Sequence, residues 1–303
     1  MRLTRARRLG VMTFMVKRVI LIALSVASLA VTVRAQETLY AATGSKGAAG
    51  VLYTVNPVTA AFTIVAPITT SGGAIGMTGM AFDPLNGILY GVTGFESPTS
   101  KRSLVTINPT TGSATVIGAL LDSGSGTTIS DISFRSDGTL FGLSPSSLYT
   151  VNLATGALTS IGSTGSNTPG GALAFNSAGT LYAAGSAVGS VDTLNPATGA
   201  RTTGPLLTNS PHAGTLGAMN AFAFSGANVL YGSDSDRAQN GATTVAVNLV
   251  TINTTTGVVT NVGVLPNDVD AIAFGPAVPE PSTIALLGVG AIVAGFLRRR
   301  AGH

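Results

Sequence analysis

The chain contains no cysteine and no tryptophan in 303 residues. Without cysteine there is no disulfide, no thiolate metal site and no thiol nucleophile, so packing alone must hold the fold. Without tryptophan the Trp-Asp repeat signature is excluded. Charge is scarce: Asp, Glu, Lys and Arg together make 9% of the chain. Histidine occurs twice, at His212 and His303. Between 36 and 277 no Gly-x-Ser-x-Gly occurs, so a nucleophile elbow has no support. Sustained helical spacing of apolar residues is also missing from that stretch.

The formal charge of +4 and the pI of 9.7 misdescribe the middle of the chain. Seven of the 16 Lys and Arg lie in 1–35 and three more at 298–300. Residues 36–277 keep six basic side chains against eleven acidic ones, a net charge of −5. A nucleic-acid partner is therefore not expected.

Both termini read as membrane-directed segments. At the front, Arg2, Arg5, Arg7, Arg8, Lys17 and Arg18 precede the apolar run Val19 to Val33, and Val33-Arg34-Ala35 closes it. A basic region, an apolar region and a small-residue cleavage site make a signal peptide over 1–35, cut between Ala35 and Gln36 by signal peptidase. Met15 is an alternative start, and a retained N-terminal anchor is the competing reading. At the other end, Val278-Pro279-Glu280-Pro281 leads into an uncharged run, Ser282 to Leu297, followed by Arg298-Arg299-Arg300. As a helix the run rises about 24 Å, short of the ~30 Å hydrocarbon core. Local thinning and snorkelling arginines close that gap. A buried core helix is the alternative, but three successive arginines argue against burial and fit the cytoplasmic side of a membrane. Pro279 and Pro281 hold the preceding chain extended, a shape suited to a protease cleft.

These three parts, in this order, resemble the C-terminal sorting signal of PEP-CTERM proteins. The resemblance covers 278–303 and says nothing about the body. It implies export by a Gram-negative bacterium that makes exopolysaccharide, and processing by a membrane-embedded exosortase. Val278, Pro279, Glu280 and Pro281 would be the recognition element and Arg298, Arg299 and Arg300 the cytoplasmic stop. The chain is then in the membrane before processing, and at the cell surface or outside the cell after it. The expected division is a signal peptide over 1–35, a body over 36–277 and a sorting signal over 278–303. That signal comprises a motif at 278–281, a membrane helix at 282–297 and a basic tail at 298–303.

The body repeats. A hydrophobic pair ending in phenylalanine recurs at Phe82, Phe134, Phe175, Phe224 and Phe274, at intervals of 52, 41, 49 and 50 residues. Leu39-Tyr40, Leu89-Tyr90, Leu140-Phe141, Leu181-Tyr182 and Leu230-Tyr231 form a second series. A third alternates and ends in asparagine, as in Leu104-Val105-Thr106-Ile107-Asn108, before turns such as Pro109-Thr110-Thr111-Gly112. A fourth is Thr115-Val116-Ile117-Gly118 and its counterparts at Thr159 and Thr260. Short β-branched or aromatic pieces bounded by Gly, Pro, Asn and Asp are strand signals. Four strands in about 48 residues suit a propeller blade. The expected fold is all-β: a propeller of five four-stranded blades, flanked by an N-terminal signal helix and a C-terminal transmembrane helix. The repeats start on the second series and end on the first, so the C-terminal strand at Ile272-Ala273-Phe274 should complete the blade begun at Leu39. Another blade count, a β-solenoid or a sandwich are the alternatives. The repeat is similar to YVTN-like and other bacterial propeller repeats.

Candidate chemistry in the body is thin. His212 reads as a base or metal ligand, or as a plain loop histidine. Asp234 and Asp236 offer oxygens to calcium, though EF-hand spacing is absent, and a solvated loop is the simpler reading. Asp83 and Asp137 sit in turns, while Asp268 and Asp270 precede the final strand. No catalytic residue, metal site or cofactor is expected. The reading is a non-enzymatic surface or matrix propeller with a structural or binding role, associated with exopolysaccharide or other envelope components. The alternative is a secreted propeller hydrolase or lyase acting on polysaccharide.

Overall fold

The computed structural model describes residues 37–165, 171–185, 189–212, 218–236 and 244–276. The signal-peptide and sorting-signal segments lie outside them, and so do Ala35, Gln36, Val278, Pro279, Glu280, Pro281 and Arg298 to Arg300. Among the described residues no helix is long and apolar enough to cross a membrane.

The described chain is all-β, five four-stranded antiparallel sheets arranged as propeller blades. Blade 1 runs, from the axis outward, Val269–Phe274, Leu39–Thr43, Val51–Val55 and Phe62–Pro67. Blade 2 is Met77–Phe82, Leu89–Thr93, Ser103–Ile107 and Ala114–Ala119. Blade 3 is Asp131–Phe134, Leu140–Leu143, Ser147–Val151 and Leu158–Ser163. Blade 4 is Gly171–Phe175, Leu181–Gly185, Asp192–Leu194 and Arg201–Thr202. Blade 5 is Ala218–Phe224, Leu230–Ser235, Val247–Ile252 and Val259–Val264. Each innermost strand packs on the next, and the fifth packs on the first. The expected closure is present: Leu39 pairs with Phe274 and Ala42 with Ala271, so the last strand of the body completes the first blade. A blade closed this way leaves no gap at the junction of chain ends.

The repeat series are local turn chemistry and interblade packing written five times. Asn56, Asn108, Asn152, Asn195 and Asn253 end the third strands, and each side-chain oxygen accepts the N–H two residues on. This Asx turn replaces backbone hydrogen bonds lost at the strand end. The turn then needs a left-handed residue, supplied by Gly112, Gly156, Gly199 and Gly257. Blade 1 uses Ala60 there, at φ 57°, a conformation alanine adopts at a cost.

Aromatic pairs join neighbouring blades. Each inner-strand phenylalanine meets an aromatic from the second strand of the blade before it: Phe82 with Tyr40, Phe134 with Tyr90, Phe175 with Phe141, Phe224 with Tyr182 and Phe274 with Tyr231. Centroid distances of 5.1–5.5 Å and tilted or edge-on planes are favourable ring geometry. The pairs make a closed ring around the axis, which explains why the first two sequence series keep pace.

Farther out, the turn between the third and fourth strands seats on the blade before it. A Cβ at Gly118 would collide with the Thr155 carbonyl oxygen, and one at Gly162 with that of Thr198. Gly162→Ala is therefore expected to push blades 3 and 4 apart and lower stability by about 1–3 kcal/mol. Chemical denaturation, compared with the exposed control Gly179→Ala corrected for its own turn strain, measures that difference.

Candidate functional site

The axis is sealed by one carboxylate. Asp131 opens the inner strand of blade 3 and is 0% exposed. Its Oδ2 accepts N–H bonds from Leu173 of blade 4 at 2.8 Å and Phe222 of blade 5 at 3.1 Å, and its Oδ1 accepts that of Ile132 at 2.8 Å. Blade 2 comes close through Gly79, where a Cβ would stand 2.8 Å from the Asp131 Cα, so only glycine lets the two inner strands approach. Blade 1 contributes Asp270, whose charge acts on Asp131. One side chain thus bonds blades 3, 4 and 5 together and lies against blade 2. Burial pushes its carboxyl well above the usual carboxylate range; the three N–H donors pull it down, and Asp270 pushes it up further. Thr78 and Ser133 add lesser ties: Thr78 Oγ1 donates to the Ile129 carbonyl at 2.8 Å, and Ser133 Oγ accepts the Phe175 N–H at 2.9 Å.

At the end where the inner strands begin, a cavity of about 150 Å³ opens. Ser130, Asn220 and Asp270 line it from the inner-strand starts, and Lys46, Phe95 and Glu96 from loops of blades 1 and 2. The loop after Thr93 is firmly fastened. Thr93 Oγ1 donates to the Ser100 carbonyl, Ser97 Oγ accepts the Gly76 N–H at 2.9 Å, and Arg102 Nε donates to Thr128 Oγ1 at 3.1 Å. The Arg102 guanidinium lies 5.7 Å from the centroid of the half-exposed Phe95 ring.

At the opposite end, where the inner strands finish, a shallow basin of about 420 Å³ is bounded by inner-strand ends such as Phe82, Phe224 and Phe274. Glu37 and Pro276, the first and last described residues, both line it. Glu37 is anchored there, both carboxylate oxygens accepting the Gly226 N–H.

His212 has more company than a loop histidine. Ser210 Oγ donates to Asp234 Oδ2 at 2.5 Å, the His212 N–H donates to Ser210 Oγ at 3.2 Å, and His212 Nδ1 stands 3.6 Å from Asp234 Oδ1. The solvated-loop reading of Asp234 is corrected: it lies in the second strand of blade 5 and is 1% exposed. It sits opposite Met219 and Asn248 in a stretch buried on both faces, with Ser233 and Ser235 0% exposed on either side of it. Burial pushes its carboxyl up, partly offset by Ser210 and His212. The serine hydroxyl is aimed at the carboxylate and not at the imidazole, so the three do not form a nucleophile–base relay. Among the described residues no group of three or more His, Asp or Glu is placed to hold a metal ion. Asp83 serves its turn, accepting the Leu85 N–H at 2.8 Å, and Asp137 pairs with Arg135. Asp268 braces the closing strand by accepting the Val245 N–H at 2.7 Å.

The fold defines a five-bladed β-propeller. The family model of the PEP-CTERM protein-sorting motif matches residues 277–301, directly after the closing blade. That motif implies an exported protein processed by exosortase. No curated protein matches the chain. Among solved structures the chain is similar to one titled "Crystal structure of Nidogen/Laminin Complex", with 12% identity and a TM-score of 0.50 over 80% of this chain and 99% of that one. At that identity the likeness shows the fold alone.

Proposed function

We propose that this chain is a cell-surface or extracellular-matrix propeller, delivered by exosortase, whose body binds or builds and does not catalyse. The observation that carries the reading is the direct succession of a closed propeller and a sorting motif: the closing strand ends at Phe274 and the motif match begins at 277. In this reading signal peptidase cuts between Ala35 and Gln36. Exosortase then recognises Val278, Pro279, Glu280 and Pro281 while Arg298, Arg299 and Arg300 hold the cytoplasmic side. The weakly charged, Ser- and Thr-rich body suits contact with exopolysaccharide or other neutral envelope components.

The Ser210, His212 and Asp234 cluster favours a second reading, a hydrolase or lyase acting on polysaccharide. The direction of the serine hydroxyl supports the binding role over that one.

Processing tests the delivery half. Co-expressed with a cognate exosortase, the wild type is expected to lose its C-terminal segment, and Glu280→Ala to keep it. Intact-mass measurement of membrane and released fractions reads the difference. Identical masses for the two proteins would remove the motif from its assigned role.

A further inference from the structure

We infer that the cavity at the inner-strand starts is a binding site for a single neutral sugar ring. The inference takes the binding role proposed above and gives it a place and a ligand class.

Three observations select that class. The first is the pairing of one aromatic face with hydrogen-bonding groups. Phe95 is 50% exposed, and the Arg102 guanidinium over the ring helps to hold it in place. A sugar ring carries C–H bonds on one face that lie flat on such a ring, while its hydroxyls stay at the rim. The same cavity is lined by acceptors and donors of the kind vicinal hydroxyls need: the Glu96 and Asp270 carboxylates, the Ser130 hydroxyl and the Asn220 amide. The Asn220 side-chain oxygen lies 3.2 Å from the Ser235 hydroxyl, which is also 3.2 Å from the Ala218 carbonyl.

The second observation is charge. The Glu96 and Asp270 carboxylates line the cavity with the Lys46 ammonium, and the Arg102 guanidinium stands beside it over Phe95 and on Thr128, so the charges balance. With no net positive charge the site offers phosphates, sulfates and uronic acids no attraction to repay their desolvation, and neutral polyols are unaffected. With no third ligating acid nearby, the carboxylates do not form a cage for a cation.

The third is size and rigidity. A cavity of about 150 Å³ is well below the roughly 300 Å³ at which drug-sized pockets begin. It suits one ring, and the sealed axis at Asp131 stops a polymer from threading through. The chain would therefore hold a terminal or branch sugar. The loop bearing Phe95 and Glu96 is tied at Thr93, Ser97 and Arg102, so little ordering is needed on binding.

The test is titration of the processed, full mature protein with methyl glycosides of glucose, galactose and mannose, and with galacturonate. Saturation-transfer NMR and calorimetry are the readouts. At least one neutral hexoside is expected to saturate in the millimolar range, with galacturonate at least tenfold weaker. Phe95→Ala and Glu96→Gln are each expected to weaken that binding at least tenfold. Both side chains are exposed, so their melting curves should overlay the wild type. Failure of every neutral hexoside to saturate overturns the inference. So does binding that survives both substitutions, or galacturonate binding as tightly as the hexosides. None of these results touches the delivery reading, which is scored separately on the processing of Glu280→Ala.

Discussion

A chain ending at Asp268 will show no cooperative thermal transition, whereas one ending at Pro276 will melt as a single unit. The eight residues that separate the two form the innermost strand of blade 1 and its exit. Val269, Ala271 and Ile272 are 0% exposed, and Phe274 closes the aromatic ring against Tyr231 with centroids 5.1 Å apart. Burying Val, Ile and Phe side chains contributes about 1.5–3 kcal/mol each. With the ladder to Leu39–Thr43, their loss matches the whole stability of an ordinary domain, about 5–15 kcal/mol. Removal also bares the edge of Leu39–Thr43 and the flanks of blades 5 and 2. Circular dichroism on heating and limited proteolysis separate the outcomes. A sharp melt from the shorter chain would mean that the closing strand is an ornament.

Asp131→Ala carries the next largest effect, an expected loss of about 2–6 kcal/mol. The substitution removes the side-chain acceptor of the Leu173 and Phe222 N–H groups, and each buried unpaired donor costs about 1–3 kcal/mol. Asp131→Asn should fall between, because its amide nitrogen faces at least one of the same donors. Acid provides a second signature. Burial raises the folded carboxyl above its unfolded value, so the folded state holds a proton that the unfolded state gives up. That contribution is full below the unfolded pKa of about 3.9 and is lost as pH climbs toward the folded one. The stability difference between wild type and Asp131→Asn should therefore shrink as pH rises across that window. Urea unfolding at a series of pH values reads both effects. An unchanged midpoint in Asp131→Ala would show that the axis does not depend on this side chain.

The blades were legible because the features that make them are local and repeated. Asn108 accepting the Thr110 N–H, or Leu89-Tyr90 following Met80-Ala81-Phe82, lies within a few residues, and five copies confirm one another. Blade 4 is where the pattern thins. Its outer strands shrink to Asp192–Leu194 and Arg201–Thr202, and a pair of the half-buried Arg201 with the buried Asp192, at 2.6 Å, stands where other blades place apolar side chains. The short hairpins joining blades 1 to 2 and 2 to 3, at Thr69–Ala74 and Leu121–Gly126, carry no pattern of their own. The axis was not legible at all. Asp131 meets Phe222 across 91 positions, and no spacing rule links an aspartate in one repeat to a backbone N–H two repeats away. Asp234 misleads for a related reason. Ser233-Asp234-Ser235-Asp236 has the composition of a loop, yet its first three residues end a strand and are buried on both faces. Phe95 and Glu96 gain meaning only when Ser130, Asn220 and Asp270 arrive from other blades.

The order in which the body is threaded out of the cell matters for blade 1. Its second strand, Leu39–Thr43, emerges first, and its innermost, Val269–Phe274, emerges last, more than 220 residues later. Ring closure over so long a span is slow, since its entropy must be met before any contact rewards it. Until then the earliest strand offers a bare backbone edge to proteases and to other nascent chains. A polypeptide stalled in mid-export keeps that edge uncovered. Only a molecule whose final segment has crossed can cover that edge, so the same few residues attest to complete delivery and to complete assembly.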